Sequence, residues 1–188
     1  MKEKKLFKPD TSLLKRYVGS HSKQSRLAES SDIETIKKDS TDMFQLLYLP
    51  YGHYKGGYAI AHPQINKTDP IRFFVTIDQD IIINPTIIKH TNAFVNSDEG
   101  CLDFPNEIMV TVQRFNKITV KYQELNLIND NFIISDTKTK ELSGFEAKVW
   151  QHEIDHLNGV NIMSKEHHAI NNINKIKKIY GNPTRTKK

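Results

Sequence analysis

At 188 residues and 21.8 kDa, the chain has the size of one domain with a real hydrophobic core. Hydrophobic residues make up 37 %, and no run approaches the ~18 consecutive apolar residues of a membrane-spanning helix, which excludes an integral helical membrane protein. The net charge of +5 is uneven: residues 1–38 carry ten Lys/Arg against five Asp/Glu, residues 165–188 seven against one, and the body between them ten against sixteen. Basic ends on an acidic body fit contact with a polyanion such as RNA, though such ends are more often solvated tails.

The opening M-K-E-K-K-L-F-K-P-D lacks the apolar stretch of a secretory signal, which points to a cytoplasmic protein. Residues 11–18 have the pattern of a short helical turn. A Ser-rich connection follows, and Ser31-x-x-Glu34 is a capping box that opens a helix. Ile33, Ile36, Met43, Phe44 and Leu47 form its buried stripe, and Pro50 ends it. Tyr51 to Gly57 reads as a loop. Its Gly56-Gly57 pair is no phosphate loop, because no G-K-[ST] follows.

Ile71 to Ile77 is a β-branched and aromatic strand, and Asp80 to Asn84 a second, ended by Pro85. Ile108 to Val112 and Ile118 to Leu125 alternate as strands, and Asn129-Asp130-Asn131 turns the chain back into Phe132 to Ser135. Ser143, with Glu146 three residues on, opens a second helix that Gly159 stops. Ile170, Ile173, Ile176 and Ile179 recur every three residues and suggest a C-terminal helix before a frayed tail from Gly181 to Lys188. No segment repeats. A helix, then antiparallel strands, then a helix makes the fold α+β, with the strands packed around the second helix.

That second helix carries W-Q-H-E-I-D-H-L-N-G, Trp150 to Gly159. His152 and His156 are four apart, so both imidazoles leave one side of a helix that repeats every ~3.6 residues. Phe145, Val149, His152 and His156 form a stripe that reads as the inward face. Two imidazoles with Glu153 beside them suit a hydrolytic metal site, with ligands for an ion and a base for the water it activates. A pair of hydrogen-bonded core histidines fits the same spacing.

A metal reading needs a third protein ligand. The pattern H-E-x-x-H-x-x-G-x-x-H fails, because its last position is Ile162. Glu166 is too near for a carboxylate on a later helix, and His167 and His168 lie in a polar stretch beyond a turn. Cys101, the single cysteine, is the best upstream candidate. On its own a lone cysteine is usually just a small core residue, and having no partner cysteine it fits a reducing compartment.

Three segments taken together, G-Y-A-I-A-H-P-Q (57–64), E-G-C-L-D (99–103) and Q-H-E-I-D-H-L (151–157), resemble the signature motifs of peptide deformylases, in order and at similar separations. P-D-T-S-L, D-M-F, I-N-P and G-V-N-I-M around them extend the resemblance over roughly residues 6 to 165, which it marks as one catalytic domain, with 166–188 as a basic C-terminal extension. The resemblance implies hydrolysis of the N-formyl group from the formyl-methionine of nascent polypeptides, with release of formate. It implies a divalent ion on Cys101, His152 and His156, usually Fe(II), with Zn, Ni or Co as substitutes. Glu153 becomes the general base, and the Gln64 amide and the Leu102 backbone N–H become oxyanion donors. Main-chain groups of Tyr58, Ala59 and Gly100 would pair with an extended N-formylmethionyl peptide, and Phe145 and Val149 would line the methionine pocket.

The chain departs from the family pattern at Ala59 in place of a Gly, His62 in place of an Ala and Asp103 in place of a Ser. These changes leave the ligands, base and Gln64 intact and bear on substrate preference. His62 reads as a buried, hydrogen-bonded side chain. The basic C-terminal segment suggests a ribosome contact, and neither a membrane nor DNA is expected as a partner. A metallopeptidase lacks its downstream ligand here, and an inactive or RNA-binding relative would not need the full set of ligand, base and oxyanion residues.

Overall fold

The computed structural model describes residues 23–48, 50–51, 54–55, 57–103 and 109–164. The helical turn expected over 11–18, the C-terminal helix and extension, and Ile108 lie outside the described residues.

A 3-10 turn at Ser30–Asp32 leads into α1 (Ile33–Leu47). The entry is fixed differently from the Ser31–Glu34 box. The Asp32 carboxylate accepts the Glu29 N–H at 2.9 Å and binds Arg26 through two hydrogen bonds of 2.7 and 2.8 Å, while Glu34 pairs with Lys37 at 2.9 Å. The buried stripe of α1 is Ile36, Ser40, Met43, Leu46 and Leu47. The expected loop after it contains a small hairpin, β1 (Pro50–Tyr51) and β2 (Tyr54–Lys55).

The remaining strands are β3 (Ala59–Ala61), β4 (Phe73–Thr76), β5 (Ile81–His90), β6 (Phe94–Glu99), β7 (Val110–Phe115), β8 (Lys117–Ile128), β9 (Asn131–Ile134) and β10 (Lys138–Ser143), followed by α2 (Gly144–Leu157). The main sheet has the antiparallel order β10-β8-β5-β4-β3, with β9 also on β8, and β6 pairs with β7 separately. The turn expected at Asn129–Asn131 closes the β8–β9 hairpin through Asn129 and Asp130, both at positive φ.

Pro85 does not end its strand. β5 continues to His90, with the pairing to β8 shifting register between Ile83 and Thr86. Asn84 takes a left-handed φ of 52° there, so Pro85 falls in an irregularity where its missing N–H costs no ladder bond. β10 is an edge strand, exposed except at Leu142, and K-T-K-E-L-S gives no apolar alternation to reveal it.

Alternation along the sheet divides the core between two helices. Phe73, Val75, Ile60 and Ile83 pack with Ile36, Met43 and Leu47 of α1. Phe74, Ile82, Val120, Ile118 and Phe115 pack with Trp150, Ile154 and Leu157 of α2. Phe74 and Tyr122 each meet Trp150 edge-on, at centroid distances of 5.1 and 5.2 Å.

The inward face of α2 is therefore Ala147, Trp150, Ile154 and Leu157, and not the expected stripe from Phe145 to His156. Phe145 is 58 % exposed, and Phe145, Val149 and His152 line a cleft beside the core. Fully buried Gln151 pins α2 to β7, accepting the Phe115 N–H and donating to the Phe115 carbonyl, both at 2.9 Å. Gly159, at φ 76°, follows the last turn as expected.

Candidate metal centre and cleft

Two polypeptide segments meet beneath the cleft. α2 brings His152, Glu153 and His156, and the turn after β6 brings Cys101, Leu102 and Asp103. The His156 Nε2 lies 3.2 Å from both the Cys101 Sγ and the His152 Nε2, and the three donor atoms fall within 4.8 Å of one another. Ligands on one tetrahedral ion, at bond lengths of about 2.0–2.3 Å, stand roughly 3.3–3.6 Å apart, so the spacing and the Cys–His–His chemistry both fit a divalent cation. Without an ion, withdrawal from solvent and the nearby Asp103 push the Cys101 thiol up to about 11. A cation would draw off that proton.

Behind the donors stands a charged network that sequence reasoning missed. The Glu99 Oε2 lies 2.9 Å from the His152 Nδ1, so the edge of His152 turned away from Cys101 rests on a carboxylate. Buried Arg114 holds that carboxylate through Nε (2.8 Å) and Nη2 (2.7 Å), and its Nη1 reaches Asp155 on α2. The guanidinium and His152 hold Glu99 well below the usual carboxylate range, against the upward push of burial. One signal was available: Arg114 shares strand parity with apolar Val112, and both are buried.

Glu153 is 3 % exposed, and its Oε2 has no hydrogen-bond partner among the described residues. Burial pushes its carboxyl up to about 7. An enclosed carboxylate that titrates near neutrality is suited to taking up and giving back a proton.

Gln64 sits in the 3-10 turn His62–Gln64 that follows β3. Its Oε1 accepts the Ala61 N–H at 2.8 Å. Its Nε2 donates to the Asp103 Oδ1 at 3.2 Å and stands 3.8 Å from the Cys101 Sγ. Burial pushes the Asp103 carboxyl up to about 6. His62 is fully buried: its Nδ1 accepts the Ile71 N–H at 2.8 Å, its Nε2 lies 3.0 Å from the Asp39 Oδ2, and its ring stacks on Phe73. It supports the turn from behind and does not enter the cleft.

The cleft encloses about 370 Å³. Gln64, Cys101, His152 and Glu153 line its inner part, and Leu102, Met109 and Val149 give it apolar walls. Tyr58 and Phe145 meet edge-to-face across 4.6 Å at its rim and are both largely exposed. Ala59 and Gly100 also line it. The sheet order ends at β3, so Ala59 belongs to an edge strand facing the opening, although its methyl is buried in the core. Of the eleven residues expected at the site from sequence, ten line this cleft, and the eleventh, His156, is buried behind its lining.

An α+β fold with a Cys–His–His cluster, a buried carboxyl beside it and a sheet edge along the cleft belongs to the class of metal-site hydrolases acting on extended chains. Comparison with known proteins sharpens that class. The family model for polypeptide deformylase matches residues 20–172. The peptide deformylase of Thermotoga maritima is 36 % identical over 138 residues, covering 70 % of this chain and 73 % of that one. The peptide deformylase of Staphylococcus epidermidis is 32 % identical over 145 residues, covering 71 % and 67 %.

Among solved structures, the T. maritima enzyme superposes with a TM-score of 0.59 at 33 % identity, covering 82 % of this chain and 90 % of that one. An inhibitor complex of the Plasmodium falciparum enzyme gives 0.61 at 26 %, covering 91 % and 90 %. The chain belongs to the polypeptide deformylase family. It is a hydrolase that deformylates nascent polypeptides, by a reaction the family carries out with a catalytic metal. Among the described residues no helix is long and apolar enough to cross a membrane.

Proposed function

We propose that this chain hydrolyses N-formylmethionyl peptides with Cys101, His152 and His156 as metal ligands, Glu153 as base and proton shuttle, and Gln64 with the Leu102 N–H as oxyanion donors. The observation that carries the assignment is Glu153. A buried carboxyl at the cleft, one residue from a ligand but outside the donor cluster, has an oxygen with no hydrogen-bond partner among the described residues and is suited to exchanging a proton with solvent in the site. Fe(II) is the proposed native ion, with Zn, Ni or Co able to replace it, and it supplies acidification of water and polarisation of the formyl carbonyl.

The chain's own groups do the rest. Glu153 takes a proton from the attacking water as the new C–O bond forms at the formyl carbon. Gln64 and the Leu102 N–H meet the charge that develops on the carbonyl oxygen, and one such donor is typically worth about 3 kcal/mol of barrier. When the C–N bond breaks, Glu153 returns the proton to the amine, and formate and a free methionyl N-terminus leave. The peptide lies along the edge of β3 that no described strand covers, paired with main-chain groups of Ala59 and, across the cleft, Gly100, beside Tyr58, whose carbonyl accepts the Ile77 N–H at 2.8 Å. Its methionine side chain rests against Val149 and Phe145.

Residues 1–165 form the catalytic domain of this reading, and 166–188 a basic extension that meets the ribosome through its charge. The lone cysteine and its free thiol favour the reducing cytoplasm. The test is release of formate from a formyl-Met peptide against cleavage of an internal peptide, each with and without chelator. Chelator-sensitive formate release alone is expected, and cleavage of the internal peptide would reject the assignment.

A further inference from the structure

We propose that Asp103 is a positioning residue of this site, holding the Gln64 carboxamide and the outer edge of the His156 imidazole in register with each other. The inference rests on the ligand and oxyanion assignments proposed above and concerns a residue to which they give no role.

The Nε2 atoms of His152 and His156 face each other and Cys101, so each is the nitrogen available to a cation. A neutral imidazole that coordinates through Nε2 carries its proton on Nδ1, and the partner of that proton fixes ring orientation and ligand basicity. For His152 the partner is Glu99 at 2.9 Å. For His156 the Asp103 Oδ2 stands 3.7 Å from Nδ1, beyond hydrogen-bond length, so this carboxylate faces the ring as a nearby charge and does not accept its proton.

The other oxygen of Asp103 has separate work. Oδ1 accepts from the Gln64 Nε2 at 3.2 Å, while the Gln64 Oε1 is fixed by the Ala61 N–H at 2.8 Å. The carboxamide is thereby tied at both ends, and Nε2 also makes a long hydrogen bond of 3.8 Å to the Cys101 Sγ on the cleft side. The Asp103 side chain is 16 % exposed, so neither contact is dissolved by bulk water. A serine, the residue this motif usually carries, has one oxygen and cannot face both groups. Asp103 links the oxyanion side of the site to the ligand side through one carboxylate.

The test uses full-length protein loaded with Co(II) and compares wild type with Asp103→Ala and Asp103→Asn. Co(II) affinity is read by chelator competition, ligand geometry by the visible absorption of the bound ion, and kcat and KM on a formyl-Met peptide. Asp103→Ala is expected to lose about 10- to 100-fold in Co(II) affinity, to shift the absorption bands, and to lower kcat rather than raise KM. Asp103→Asn keeps an oxygen for Gln64 and is expected to regain most of kcat while still binding Co(II) weakly.

Co(II) affinity and kcat of folded Asp103→Ala both within about twofold of wild type would overturn the proposal, since losses of at least about tenfold are expected. A rise in KM alone would also overturn it, because Asp103 would then be touching substrate. Should Asp103→Ala fail to fold, near-isosteric Asp103→Asn decides alone: unchanged Co(II) affinity rejects the role and a loss supports it. If wild-type protein binds Co(II) but releases no formate, the deformylation reading fails, while the affinity comparison still tests Asp103.

Discussion

The Glu99 Oε2 stands 2.9 Å from the His152 Nδ1, and the Arg114 guanidinium grips the same carboxylate through two nitrogens. The helix supplies the histidine, but β6 and β7 decide which way its ring points. Replacing Glu99 with Gln keeps the shape and removes the charge. Glu99→Gln is expected to lose about 10- to 100-fold in metal affinity or activity, as removal of a carboxylate behind a ligating imidazole typically does. Chelator competition against a folded variant checks this, and an unchanged affinity and rate would sink the orienting role.

Arg114 is one cation facing two acids, Glu99 and Asp155, at 1 % exposure. Arg114→Met fills much of the volume but leaves both carboxylates without their shared partner. Breaking a buried ion pair from one side costs about 3–5 kcal/mol. A loss of unfolding free energy of that size, read from urea titration, is expected, and a loss below about 1 kcal/mol would show that the network carries little stability.

Glu153→Ala separates chemistry from binding. The carboxyl is outside the Cys–His–His cluster, so the variant is expected to keep its metal, and turnover is expected to fall by about 10²–10⁴-fold. Metal content and kcat on the same preparation are the check. Near-normal turnover would remove Glu153 from the mechanism.

How far the sequence spoke differs by element. The i, i+4 histidines, α1 and the β8–β9 hairpin were legible because each rests on local periodicity or turn chemistry. The direction in which α2 faces was not. Its stripe from Phe145 to His156 and the stripe from Ala147 to Leu157 both look apolar enough, and only the arrival of Phe74 and Tyr122 against Trp150 shows which one meets the core. The edge strand β10 has almost no buried side chain to announce it, and Pro85 looked like a stop because the irregularity that accommodates it arises from pairing with β8. The Glu99–Arg114–Asp155 network joins three elements far apart in sequence, so no spacing rule could assemble it.

One acid-sensitive contribution to stability lies at the entry of α1. Two hydrogen bonds from Arg26 hold the Asp32 carboxyl below its ordinary value, helped by the Glu29 N–H and opposed by partial burial. A folded-state value depressed below that of the unfolded chain favours folding while the group is ionised. The contribution is therefore complete above the unfolded value of about 3.9 and disappears as pH falls through the folded one. Arg26 is 43 % exposed, so screening limits the pair to roughly 1 kcal/mol or less. Asp32→Asn is accordingly expected to be less stable than wild type near pH 7, with the gap narrowing steadily below about pH 4. Paired denaturant titrations across that range test it. A gap that stays constant down to the acid limit would place the effect of Asp32 in packing or capping and not in its charge.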